Sequence, residues 1–340
     1  MAADSALLQA YRGHRPERLP VWFMRQAGRS LPEYRETRAG TAMLDACLTP
    51  ELAAEITLQP VRRHGVDAAI FFSDIVVPLK LAGVDVDIVP GRGPVFGRPV
   101  RDAAALADLL AHELTDDALV PIEQAVARTV GALGDVPLIG FAGAPFTLAS
   151  YLVEGGPSKD QLRARTLMHA DPEAWNQLTA YLARISGAFL AAQVRAGAQA
   201  VQLFDSWAGG LSEADYRSGA LPASSAALAE VHGAVPVVHF GTGTALLLAA
   251  MRDAGADVIG VDHRIPLDAA SALLGGRTPV QGNIDPALLS APWPVLERHL
   301  AAVVAAGRAA PAHVLNLGHG VPPETDPGVL TRIADWAHDR

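Results

Sequence analysis

The sequence predicts an α/β protein built as a single (β/α)8 TIM-type barrel. Short β-rich runs alternate with amphipathic stretches along the whole chain, about eight such runs are present, and no compositional shift marks a linker within the 340 residues. Half of the chain is hydrophobic, enough at this length to bury one barrel-sized core. An open, doubly wound parallel sheet is the structural alternative, because the run at Val235 can be counted with a different partner.

The β-rich runs are Pro20–Phe23, Val66–Phe72, Val136–Phe141, Ala198–Phe204, Val235–Phe240, Asp257–Val261, Pro279–Gly282 and Ala312–Leu317. Residues 1–17 form an N-terminal segment ahead of the first. Helical patterns fall between the runs at Pro50–His64, Pro121–Leu133, Pro172–Ala196, Ser212–His232, Gly243–Ala254 and Pro294–Gly307. Several open on proline or a capping residue, which the first turn of a helix favours. Two insertions depart from the repeat. Val84–Pro90 and Pro94–Val100, joined by Gly91-Arg92-Gly93, read as a β-hairpin at 84–100 after the second run, and Gly140–Pro157 reads as an extended loop after the third.

A formal charge of -9 argues against a nucleic-acid surface, so any anion site must be a local concentration of arginine. Lys80 and Lys159 are the only lysines, which makes 25 of the 27 basic residues arginine and leaves few candidates for Schiff-base chemistry. Cys47 stands alone, which excludes an intramolecular disulfide or a multi-thiolate metal site and suits a reducing compartment. Asp4, Arg12, Arg15, Glu17 and Arg18 interrupt the first twenty residues, so no signal-peptide core is expected there. Apolar stretches such as Leu300–Ala310 are too short to span a bilayer. A cytoplasmic protein without a membrane partner is the expectation.

Barrel enzymes carry their chemistry on the loops at the carboxyl ends of the strands. Those positions here hold Arg25 with Arg29, Ser73-Asp74, Pro145-Phe146-Thr147, Asp205-Ser206, His239, Asp262-His263, Asn283 with Asp285, and His319. Arg25 and Arg29 on a helix surface would be a solvated pair. Gly28 and the Ser30-Leu31-Pro32 that follows argue instead for a loop whose guanidinium forks hold carboxylate or phosphate. An isolated strand-exit Asp74 would read as a turn carboxylate. The apolar Ala68–Phe72 before it and Ile75-Val76-Val77-Pro78 after it, with no capped helix to serve, favour an acceptor in an apolar mouth that needs converging N–H donors. Tyr151 reads equally as a core tyrosine or a site residue. His319 lies between Gly318 and Gly320, which would let the backbone approach a ligand, whereas His239 inside Val237–Phe240 reads as a core histidine. Asp262-His263 and Asp285 lack the His-x-His or Cys cluster of a zinc site, and neither Gly91-x-Gly93 nor Gly241-x-Gly243 completes a dinucleotide fingerprint. The sequence demands no cofactor.

Pro20–Arg29, and Gly140–Leu148 with Tyr151–Gly156, resemble the two signature segments of the uroporphyrinogen decarboxylase family. Phe72–Ile75, Gln202–Gly209, Gln281–Pro286 and Asn316–Gly320 resemble the rest of its pattern in the same order, so the resemblance runs from about Arg18 to Thr325. Ser30 stands where the family commonly has tyrosine and removes no residue assigned to chemistry. The resemblance implies cofactor-free, stepwise decarboxylation of the four acetate arms of uroporphyrinogen III to methyl groups, giving coproporphyrinogen III and CO2 in haem biosynthesis, by a homodimer. It places Asp74 as the carboxylate that accepts the pyrrole N–H groups and stabilises positive charge on the ring. Arg25 and Arg29 would clamp and orient carboxylate arms, and Gln26 lies between them in the substrate-binding run. Tyr151, Ser206 and His319 match substrate-contacting positions, with Phe146 and Phe204 as apolar walls. Two rival readings are a zinc- or corrinoid-linked methyltransferase on the same barrel, for which Cys47 alone is too few thiolates, and a non-catalytic tetrapyrrole carrier.

Overall fold

A computed structural model of the chain describes residues 5–340. Among the described residues nine strands form: β1 (Ala69–Ile70), β2 (Val86–Val89), β3 (Gly93–Phe96), β4 (Leu138–Gly143), β5 (Ala200–Phe204), β6 (Val237–Phe240), β7 (Val258–Gly260), β8 (Val280–Ile284) and β9 (His313–Leu317). β2 and β3 pair antiparallel as the predicted hairpin, with Val86 opposite Phe96. The other seven form one parallel sheet in the order β1-β4-β5-β6-β7-β8-β9.

The predicted first run, Pro20–Phe23, closes the circle as a single bridge and not as a strand. Val21 pairs with Leu315 of β9 on one side. On the other, Asp67 N–H donates to the Val21 carbonyl oxygen at 2.8 Å, ahead of β1. Pro20 has no N–H to give a ladder, and the Val21 N–H goes to the Asp67 side chain at 2.9 Å, so regular pairing cannot extend. The closed parallel ring bears out the barrel and sets aside the open sheet.

Three expectations about the elements need correction. Gly140–Pro157 is not an extended loop: Gly140–Gly143 ends β4 and Pro145–Glu154 is a helix, with Pro145 at its start and Gly155 at φ 83° behind it. The flanking glycines and proline mark the ends of that helix rather than a loop. Pro121 lies inside the helix Asp116–Leu133, which begins earlier because Thr115 Oγ1 accepts the Ala118 N–H at 3.3 Å. Ser212–His232 divides at Ala220 into Glu213–Gly219 and Leu221–Ala229, where Pro222 cannot continue the first helix.

Residues 1–17 are more than a leader to the barrel. Within the described part, helix Ala6–Tyr11 buries Leu7, Leu8, Ala10 and Tyr11. Strand alternation points Trp22, Gln202 and Gln281 into the barrel, and there Tyr11 joins them. Tyr11 Oη and Trp22 Nε1 both donate to Gln281 Oε1, and Gln281 Nε2 donates to Gln202 Oε1 at 2.9 Å. Such a ladder satisfies every member, which buried amides require. Nearer the mouth, Phe204 and Phe240 share a register and pack edge to face at 6.0 Å, and Phe141 meets Phe204 at 5.4 Å. One apolar cluster runs from Leu7 to Ala337 through all of these elements.

Candidate active site

The loop after the first stave carries Arg25 and is built to hold it out. Gln26 is fully buried, accepting the Phe23 N–H at 3.0 Å and donating to the Ala68 carbonyl oxygen at 3.0 Å. Met24 N–H is taken by Asn316 Oδ1, and Val321 N–H donates to the Met24 carbonyl oxygen at 2.9 Å. Between these anchors Arg25 adopts φ 60°, a left-handed conformation that costs a non-glycine residue about 1–3 kcal/mol and persists only where neighbours impose it. Its side chain is exposed. Gln26 is therefore the fastener of the loop, not the substrate-facing residue expected from sequence, because both ends of its amide are consumed by backbone.

Arg29, also exposed, flanks the same loop and lies within electrostatic reach of Tyr34, whose ring packs edge-on against Phe72 at 5.8 Å. Phe72 immediately precedes Ser73-Asp74. Asp74 does serve a helix, contrary to the sequence expectation: its Oδ1 accepts the Val76 N–H at 3.1 Å in a turn that leads into Val77–Leu81. Oδ1 thus fixes the loop, and the Ile75 N–H also bonds the carboxylate. Burial in the apolar mouth pushes the Asp74 carboxyl above its usual range, opposed by the Val76 N–H and then by the Arg25 guanidinium.

Tyr151 lies in the same field. Burial pushes its hydroxyl up to about 12, Asp74 adds to that shift and Arg25 opposes it. Its ring stacks on Trp207, centroids 3.8 Å apart at 23°. His319 is exposed at the mouth, and partial desolvation, then Arg25 and Arg264, hold it below the usual histidine range and hence neutral near pH 7. The glycines beside it have another purpose than the one expected. A Cβ on Gly320 would stand 2.4 Å from Arg25 Cδ, and one on Gly318 would stand 2.3 Å from the His263 nitrogen. They make room for protein, and the Arg25 side chain runs across Gly320.

Ser206 is half-buried and its carbonyl oxygen accepts the Thr242 hydroxyl at 2.6 Å. Phe204 is half-buried at the mouth and forms an apolar wall with Phe141 and Phe240. Phe146 is not part of that wall. It is fully buried against Trp175 at 5.9 Å, because the helix that begins at Pro145 turns it away from the barrel axis. His239 is buried as expected but only half satisfied: Nδ1 lies 3.2 Å from the Met251 carbonyl oxygen while Nε2 has no hydrogen-bond partner.

The structure therefore brings Arg25, Asp74, Tyr151 and His319 into one mutual field at the carboxyl ends of the staves, with Arg29, Ser206 and Phe204 around it. Trp207 and Arg264 also belong there and were not singled out from sequence. Trp207 had a visible signal, as the residue after Ser206 at a strand exit. Arg264, paired with buried Asp262, had none beyond its charge.

The sequence model of a family described as "Uroporphyrinogen decarboxylase (URO-D)" matches residues 2–340. A protein of Arthrobacter sp. (strain FB24) named uroporphyrinogen decarboxylase is 66% identical over 337 residues, covering 99% of this chain and 97% of that one. One of the same name from Leifsonia xyli subsp. xyli is 61% identical, covering 98% and 94%. Among solved structures, a methyltransferase from Methanosarcina mazei aligns with a TM-score of 0.80 over 98% of this chain and 97% of its own at 19% identity, a likeness of fold.

Proposed function

Because this chain belongs to the uroporphyrinogen decarboxylase family, we propose that the barrel mouth centred on Asp74 removes CO2 from the acetate arms of uroporphyrinogen. The protein is a carboxy-lyase of haem biosynthesis. The observation that supports the site most is Asp74 itself: a desolvated carboxylate held by the Val76 N–H and facing the Arg25 charge.

Decarboxylation needs an electron sink, and the pyrrole supplies one. Protonation of the ring carbon beside the acetate-bearing carbon makes an iminium-like cation. The C–CO2 bond then breaks, its electron pair forms an exocyclic methylene, and the ring positive charge is discharged. Protonation of that methylene and loss of the first proton restore the pyrrole and leave a methyl group, so each arm consumes one proton and releases one CO2. Asp74 accepts the pyrrole N–H groups and lowers the energy of the cation as it develops, an electrostatic effect that grows in a desolvated site.

Arg25 and Arg29 hold carboxylate arms by paired N–H donors and orient the arm that leaves. Neutral His319 and the Ser206 hydroxyl add uncharged hydrogen bonds. With its hydroxyl pushed up to about 12, Tyr151 acts near neutrality as a hydrogen-bond donor and not as a source of protons. Phe204, Phe141 and Phe240 supply the apolar floor for the macrocycle.

Isomer III as substrate, a homodimeric assembly and a cytoplasmic setting complete the proposal. Among the described residues no helix is long and apolar enough to cross a membrane. The test is anaerobic incubation of the purified, metal-stripped protein with uroporphyrinogen III, following seven- to four-carboxylate products by chromatography, with sedimentation of the same sample for its assembly. Stepwise coproporphyrinogen formation is expected. Binding without loss of carboxylate would overturn the reading in favour of a carrier.

A further inference from the structure

Behind the wall made by β5 and β6, a buried polar chain leads to the mouth from outside the barrel. Asp205 follows the last residue of β5, is fully buried, and accepts the Thr147 hydroxyl proton on Oδ1 at 2.8 Å. The Thr147 oxygen accepts the Trp207 backbone N–H at 3.3 Å. On β6, His239 is also fully buried, with Nε2 3.9 Å from Asp205 Oδ2. Tyr216 faces the same carboxylate, which adds to burial in raising its hydroxyl.

A carboxylate so deeply buried is costly unless donors satisfy it, and the Thr147 hydroxyl supplies one. The geometry shows a use for that bond. Thr147 and Tyr151 are four residues apart on Pro145–Glu154, hence on one face of that helix. Trp207 is hydrogen-bonded to the first and stacked on the second. Being acceptor-only when ionised, Asp205 fixes the direction of the Thr147 proton and leaves a lone pair of the hydroxyl free for the Trp207 N–H.

We propose that Thr147 and Asp205 are positioning residues that act through Trp207 to set the Tyr151 ring against the substrate. The proposal rests on Tyr151 as a substrate contact, and a double-mutant cycle separates the two ideas. Thr147→Val removes the hydroxyl, Thr147→Ser keeps it, and Tyr151→Phe removes only the phenol oxygen. In each variant kcat and KM are measured with uroporphyrinogen III, and the Trp–Tyr stack is followed by near-ultraviolet circular dichroism.

Thr147→Val is expected to lower kcat about 10- to 100-fold, the scale of a displacement near 1 Å, with little change in KM and a weakened stacking signal. Thr147→Ser restores both readouts. In the Tyr151→Phe background Thr147→Val changes kcat less than about twofold. Additive losses, or a Thr147→Ser variant as impaired as Thr147→Val, overturn the positioning role. An unaltered kcat in Tyr151→Phe alone instead overturns the reading of Tyr151 and leaves the stacking signal to decide whether Thr147 sets the ring. If Thr147→Val does not fold, Trp207→Leu at the half-buried end of the chain takes its place in the same cycle, and additivity there refutes the link.

Discussion

Replacing Gly320 by alanine tests the placement of Arg25 without touching its charge. Gly320 does not need the left-handed backbone that only glycine tolerates well, so alanine imposes no conformational penalty of its own. Its Cβ would stand 2.4 Å from Arg25 Cδ, 2.8 Å from Cγ and 3.1 Å from Nε. Carbon atoms in contact settle at about 3.5 Å or more, so Cδ must retreat by about 1.1 Å. The backbone cannot share that movement, because Met24 is bonded to Asn316 and Val321, and Gln26 to Phe23 and Ala68. The guanidinium itself must therefore shift by at least a comparable distance. A displacement of that size at a clamping group costs roughly 100-fold in kcat/KM, equivalent to about 2.7 kcal/mol of transition-state stabilisation. Anaerobic turnover of uroporphyrinogen is the assay, with thermal unfolding as the control for fold. In an Arg25→Ala background the same substitution should change nothing, since the clashing atoms are gone. Wild-type turnover of Gly320→Ala would refute the reasoning, as would an undiminished effect in the Arg25→Ala background.

Further outcomes follow from the same geometry. Asp74→Asn keeps an oxygen for the Val76 N–H, so it should fold while losing on the order of 100- to 1,000-fold in kcat by the product assay. Because the folded-state pKa of Asp74 is raised, ionising it costs stability as pH rises from the ordinary value of 3.8; Asp74→Asn should therefore unfold at higher temperature than the parent near pH 7, with the gap closing in acid. Burial holds His64 and His313 at about 4, below 6.5, so the unfolded chain takes protons first as pH falls through that window; urea unfolding should show up to roughly 3 kcal/mol lost per histidine between those values, and His313→Gln should flatten the profile. Gln281→Leu strands Gln202 Oε1 and the Tyr11 hydroxyl proton and leaves Trp22 Nε1 only its 3.2 Å bond to the Tyr11 oxygen, so equilibrium unfolding should register about 2–4 kcal/mol of destabilisation, and if residues 1–340 are one barrel domain, as we propose, the parent should unfold in a single transition.

The alternation of β-rich and helical runs determined a parallel α/β fold and pointed to a barrel, since strand and helix periodicities are local, but closure through Val21 decided against an open sheet. Strand exits were equally legible: Arg25, Asp74, Ser206 and His319 stand where polar residues interrupt apolar runs, and the structure gathers them at one mouth. Tertiary structure alone decided which polar residues face the ligand and which hold those that do. Gln26 and Phe146 share their segments with site residues, yet the turn after Met24 and the helix begun by Pro145 direct them into the protein. Gly320 looks like a ligand-facing glycine in sequence, but the atom it accommodates comes from Arg25, 295 positions earlier in the chain, by their residue numbers. The same holds for Asp205, Thr147 and Trp207, which meet only because β4 and β5 are neighbours. Periodicity reports the face on which a side chain lies relative to its own element; partners distant in sequence become visible only when those elements are packed.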